Sequence, residues 1–161
     1  MDLGATIALV ARIILAATFG LSAATKVADR PGFARALRDF GIPRSDALSW
    51  TLPLVEGGLG LALVLVQGAA WPAFLAIAVL ALFTAAVVAN LMGERPAPCP
   101  CFGPPTAGAR PVSAATVARN GYLVALAVLG TGSTDGASVG VALAGAAVTA
   151  PATLIALRRF G

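Results

Sequence analysis

The 161-residue chain contains no histidine. That absence removes the commonest general base and the commonest metal ligand, and it excludes nucleophilic catalysis by a Ser/His or Cys/His pair. Charge is also scarce. Asp, Glu, Lys and Arg make up 11% of the residues, against roughly 25% in a soluble domain whose surface must face water. With 58% hydrophobic residues and a mean hydropathy of +0.90, the chain lacks the polar side chains to coat a water-facing body. Lipid is therefore the solvent for most of it. Cysteine is limited to Cys99 and Cys101, so any thiol redox chemistry must use that one pair. The net charge of +4 does not mark a nucleic-acid binder, because the basic residues stand between apolar runs and form no dense patch. Basic residues flanking membrane spans are the matching pattern.

A bilayer core of about 30 Å needs roughly 20 apolar residues in a helix. Five stretches qualify, over about residues 5–24, 52–66, 72–91, 114–130 and 138–157, in a single transmembrane domain filling 1–161. The second and third are separated by a turn at Gln67-Gly68, and Pro151 predicts a kink in the fifth. The first stretch is read as a retained helix and not a cleaved signal. It opens on Asp2 without a positive n-region, and Arg12 interrupts its apolar run. The fold class is thus an all-α integral membrane protein.

The loop charges give an orientation. Lys26, Arg30, Arg35, Arg38 and Arg44 follow the first span, Arg95 and Arg110 the third, and Arg158 and Arg159 the fifth. With five spans all nine fall on one side, which the positive-inside rule makes cytoplasmic, with the N-terminus outside. In the first of these loops Phe33, Leu37 and Phe40 recur at helical spacing. Asp29 is placed to cap, and Gly41 to end, an interfacial helix over about residues 31–40. Small residues, Gly57, Gly58 and Gly60 in the second span and Gly140 and Ala144 in the fifth, suit close helix packing.

The most informative segment is the loop over 93–113, where Cys99 and Cys101 flank Pro100 among further prolines. A disulfide between residues two apart closes a tight loop, since Cα separations near 5.5 Å are preferred, and strained disulfides are readily reduced. Such a pair suits electron exchange and is poorly suited to stapling a fold, because so short a loop contributes little chain entropy. Two other readings stay open. Two thiolates can hold Cu(I) or part of a zinc site, though zinc wants four ligands and only Met92 is a nearby soft donor. Inert thiols are the third.

Inside the spans lie Arg12, Glu56 and Arg119, with Asn120 beside the last. Each charge near mid-membrane costs about 2.5–3.5 kcal/mol on insertion scales, so partners are expected. Glu56 and Arg119 share a depth near the cytoplasmic end, which predicts an ion pair between them, and Lys26 lies at the same level. The functional reading is an electropositive pocket that favours a cysteine thiolate, the reacting species. The bland one is a pair that only fixes helix register. Arg12, nearer the other end, has no evident partner.

The chain resembles the MauE family (methylamine utilisation protein E) among the DoxX-like membrane proteins. The matching residues are Arg12, the run from Ser22 to Lys26, Phe33, and the run from Phe40 to Pro43. They continue with Leu52, Pro53, Glu56 and Gly58, and then Cys99, Cys101, Phe102 and Gly103 before Arg119 and Asn120. The resemblance spans roughly residues 10–130 and implies a four-helix DoxX-like core, to which the fifth span and the interfacial helix are additions. It implies thiol–disulfide chemistry at Cys99 and Cys101, with Arg12, Lys26, Glu56, Arg119 and Asn120 as supporting polar residues. The expected partner is a thioredoxin-like protein, with a quinone as an alternative electron party, in the inner membrane. The alternative is a non-enzymatic membrane subunit or metal-binding module that recruits a partner for maturation of another protein. A transporter has less to recommend it, as no repeat halves are visible. One tension follows: the charge count sets the Cys loop on the cytoplasmic side, where thiols are kept reduced, whereas the implied substrates lie outside.

Overall fold

The computed structural model describes residues 2–92, 114–135, 137 and 146–147. Among them the chain forms five helices and no strand: α1 (Leu3–Ala28), α2 (Arg30–Asp39), α3 (Ser45–Leu65), α4 (Trp71–Leu91) and α5 (Ala114–Leu129). The Cys99-Pro100-Cys101 loop lies outside the described residues. So does the expected fifth span over 138–157, apart from Ala146 and Ala147.

α1 starts where Asp2 turns its carboxylate back to accept from the amides of Gly4 (2.9 Å) and Ala5 (3.4 Å), filling donors that a helix start leaves open. It runs past the expected end at residue 24 to Ala28, and Lys26 in this last turn is buried in the protein. At 26 residues it is about 39 Å long. Asp29 then serves two helices. Its backbone N–H closes α1 on the Thr25 carbonyl, and its carboxylate accepts from Gly32 N at 3.0 Å to start α2. Gly32 is required there, since a Cβ would collide with the Asp29 carboxylate. α2 ends as the sequence suggests. Gly41, at φ 73°, lets its own N–H reach the Arg38 carbonyl and that of Ile42 reach Leu37, the Schellman closure. The apolar face of α2, including Phe33 and Leu37, is buried against α1 and α3, while Arg35 and Arg38 stay exposed.

α3 begins at Ser45, earlier than the expected 52. The polar stretch before Leu52 reads as a connector by hydropathy. Yet Ser45 and Ser49 are buried, and Asp46 in the first turn suits the helix dipole. Pro53 sits inside the helix and withholds a donor from the Ser49 carbonyl one turn earlier. Hydroxyls elsewhere return to their own backbone, Thr18 to Ile14 and Thr84 to Leu80, as lipid offers no other partner.

α1 packs on α3 and α5, and α4 packs on α3 and α5, closing a four-helix ring with α2 laid across one end. Its core is Leu15 and Phe19 of α1, Leu59 and Leu63 of α3, Ala73, Ala76 and Leu80 of α4, and Leu123 and Ala127 of α5. Of the three α3 glycines only Gly60 is closely approached. A Cβ there would stand 3.1 Å from the Ala16 carbonyl, whereas Gly58 faces open space. Outward residues such as Leu21, Leu54, Leu61, Phe74 and Leu82 are apolar and exposed.

α1, α3 and α4 are each long and apolar enough to cross a membrane. The described part of α5, at 16 residues, reaches only about 24 Å. All the described cations outside the spans sit where α1 passes through α2 into α3. The 66–70 and 130–135 loops at the opposite end contain no Lys or Arg of their own.

Candidate functional site

The i, i+4 spacing of Ser22 and Lys26 sets both on one face of α1, turned toward α3. There the Lys26 ammonium donates to both Glu56 oxygens, Oε1 at 2.6 Å and Oε2 at 2.7 Å, and to Ser22 Oγ at 2.6 Å. Ser22 in turn bonds the Glu56 carboxylate, so ammonium, carboxylate and hydroxyl form a closed ring of interactions. All three N–H donors of Lys26 are thereby used. The ring is dry: Lys26 is 4% exposed, Glu56 1% and Ser22 2%. Two aromatic faces flank the ammonium, Phe33 of α2 at 5.6 Å and Phe83 of α4 at 5.8 Å from the ring centroids, in cation–π range. Four elements thus converge on Lys26.

Where shared depth predicts a Glu56–Arg119 pair, the structure shows Lys26 on both carboxylate oxygens. Lys26 wins because it lies on the neighbouring helix at the same depth and reaches Glu56 without spanning the bundle. Arg119 instead brings a second positive charge into Coulombic range of Lys26 from α5. Beside it Asn120, 2% exposed, donates from Nδ2 to Thr84 Oγ1 at 3.1 Å. The Thr84 hydroxyl donates in turn to the Leu80 carbonyl, so α4 and α5 are joined by a short polar chain at the same end of the bundle.

Arg12 is elsewhere. It is 1% exposed and lies at the opposite end, with its guanidinium spread over three backbone carbonyls: Nε to Gly130 (2.7 Å), Nη1 to Val66 (3.0 Å) and Nη2 to Ala69 (2.8 Å). These acceptors close α5 and α3 and the α3–α4 turn. A cation placed there meets the negative ends of two helix dipoles. Arg12 is a clamp that ties the loop ends together, and it shares no contact with the Lys26 ring. A second link at this end runs from Gly68 N to Thr134 Oγ1 at 3.0 Å.

Four participants were not singled out as site residues by sequence: Ser22, Phe33, Phe83 and Thr84. Thr84 had a legible signal, as the one hydroxyl in α4 at the depth of Asn120. Phe83 had none, since one more aromatic in an apolar helix looks like any lipid-facing residue. Among the described residues no group of three or more metal-ligating side chains occurs.

A ring of apolar helices, apolar outside and holding an ion pair in its interior, defines a multi-pass α-helical membrane protein. More narrowly, the chain belongs to the family described as methylamine utilisation protein MauE, whose model matches residues 4–133. That range takes in the five described helices but for Leu3 at the start of α1, and it stops before the expected fifth span. No curated protein and no solved structure gave a significant match.

Proposed function

We propose that the protein is a membrane thiol–disulfide oxidoreductase in which Cys99 and Cys101 cycle between dithiol and disulfide. Oxidation joins the two sulfurs and releases two electrons and two protons. A thioredoxin-like protein or a quinone is the other party, and reduction reverses the step. The observation that carries this reading is the dry Lys26–Glu56–Ser22 ring with Arg119 close by. It stands at the end of the bundle where the chain leaves α4 at Met92 and returns into α5 at Ala114. The cysteine segment is tethered to that end at both of its own ends. Two cations and one carboxylate in a low-dielectric surrounding stabilise an anion brought near them, and the thiolate is the anion thiol exchange needs.

The family's name ties its members to methylamine utilisation. On this reading the chain serves the maturation of another protein's disulfides, in methylamine utilisation or a comparable setting. The positive-inside distribution orients it with the N-terminus outside the inner membrane and the cysteine segment on the cytoplasmic side. A fifth span over 138–157 completes a single transmembrane domain and returns Arg158 and Arg159 to that side. The test is partner turnover by Cys99→Ser and Cys101→Ser variants in membranes. Loss of partner oxidation or reduction in both supports the proposal, and turnover equal to wild type rejects it. Stoichiometric copper or zinc lost on thiol blocking would favour a metal-binding subunit instead.

A further inference from the structure

The α2 end of the bundle carries a second feature that the ion-pair site does not use. Arg30, the first residue of α2, lays its guanidinium over the indole of Trp50 in α3, with the guanidinium carbon 4.7 Å from the ring centroid. Stacking holds the planar cation in one orientation. Arg30 has no carboxylate partner among the described residues. The two ion pairs there are Lys26–Glu56 and Arg38–Asp46, and Arg30 Nε is buried without a hydrogen-bond acceptor. A buried, unmatched N–H is costly unless a ligand supplies the acceptor. Trp50 itself is 52% exposed.

The depth of this pair is set by the rest of the fold. Trp50 lies in the second turn of α3 and Trp71 begins α4, so about 23 Å of α3 runs between their levels. Tryptophans so spaced mark the two headgroup levels of a bilayer. Arg30 is therefore held at headgroup depth, on the side where Arg35, Arg38 and Arg44 also lie. Arg38 is partly offset by Asp46 at 3.3 Å, whereas Arg35 and Arg44 add positive charge at the same end.

We infer that Arg30 and Trp50 form a binding site for the phosphodiester of an anionic phospholipid at the α2–α3 corner. The guanidinium fork donates to phosphate oxygens, as Arg does in bidentate phosphate recognition, and the indole packs along the glycerol and upper acyl chain. The surrounding arginines select a net negative headgroup over a zwitterionic one. Because α2 also carries Phe33 against Lys26, a lipid seated there braces the helix that covers the ion-pair site. The inference does not depend on the redox reading.

The test is native mass spectrometry of the purified full-length protein with phosphatidylglycerol or phosphatidylcholine added, in wild type and in Arg30→Gln, Trp50→Leu and Arg35→Gln variants. Wild type is expected to retain phosphatidylglycerol preferentially. Arg30→Gln should weaken retention about fivefold, the effect of one basic residue near the surface. Trp50→Leu should weaken it as well, whereas Arg35→Gln, with no ring to orient it, should change it less. Unchanged far-ultraviolet dichroism in each variant separates lost binding from lost fold. If Arg30→Gln itself unfolds, Arg30→Lys decides, since it keeps the charge, lacks the fork and should bind more weakly than wild type. Equal retention by Arg30→Gln and wild type would overturn the proposal, as would equal losses in Arg30→Gln and Arg35→Gln. Displacement by inorganic phosphate would show a soluble-anion site, and equal retention of phosphatidylcholine would remove the charge selection. Either result also overturns it.

Discussion

Replacing Lys26 by Met removes the ammonium that satisfies both Glu56 oxygens and bonds the Ser22 hydroxyl. Glu56, 1% exposed, is left as a buried carboxylate whose remaining bond is to Ser22. Breaking a buried ion pair from one side costs about 3–5 kcal/mol, because the surviving charge keeps its desolvation penalty and loses its partner. Glu56→Leu should cost a similar amount by stranding Lys26, with some relief from the Phe33 and Phe83 faces. The double replacement strands nothing and fills the space with apolar volume. It should recover most of the loss and stand within about 1–2 kcal/mol of wild type. The assay is reversible unfolding in mixed micelles for all four members of the cycle, with a coupling energy of at least about 4 kcal/mol expected, since two losses of about 3–5 kcal/mol collapse to about 1–2 kcal/mol in the double variant. Additive losses would refute the direct pairing. A Lys26→Met variant as stable as wild type would refute the dry, closed ring altogether.

Arg12→Leu should destabilise by at least about 3 kcal/mol, since three carbonyls lose a charged donor and each such bond is worth roughly 1.5–3 kcal/mol before non-additivity. Arg12→Lys, which cannot span all three, should recover only part, as thermal unfolding would show. Gly60→Ala forces a Cβ to 3.1 Å from the Ala16 carbonyl and should cost about 1–3 kcal/mol by pushing α1 from α3. Gly58→Ala, facing open space, should be neutral or stabilising in the same melt. Asp29→Ala removes the cap from Gly32 N and should cost about 1 kcal/mol. Faster amide exchange should be confined to the first turn of α2.

Membrane residence, the helical class and the family were legible because they rest on composition, on apolar runs and on short motifs. The α2 helix was legible too, since a capping Asp29 and a terminating Gly41 bracket one amphipathic stripe, and both perform those roles. The polar cluster was legible only to its depth. Residues on separate spans can be ranked along the membrane normal, but Glu56 at one level had two cationic candidates, and helix order around the ring decided for Lys26. Arg12 illustrates a different limit: its partners are backbone carbonyls of Val66, Ala69 and Gly130, and backbone groups leave no residue-type signature. That α3 begins at Ser45, ahead of the apolar stretch from Leu52, is hidden for a related reason. The serines and Asp46 of its first turns lower the hydropathy, yet tertiary packing buries Ser45 and Ser49. Nothing in a one-dimensional profile reports that cover.

The central claim is that Cys99 and Cys101 form a redox-active pair, and acid-quenched thiol trapping in intact cells tests it most directly. A mass-adding alkylating reagent is applied before and after chemical reduction. The account predicts a fraction of wild-type protein that takes up no label until reduced and then takes up two. It also predicts that Cys99→Ser or Cys101→Ser accumulates a mixed disulfide with a partner. Two thiols fully labelled without reduction in every growth condition, with no trapped partner in either variant, would contradict it.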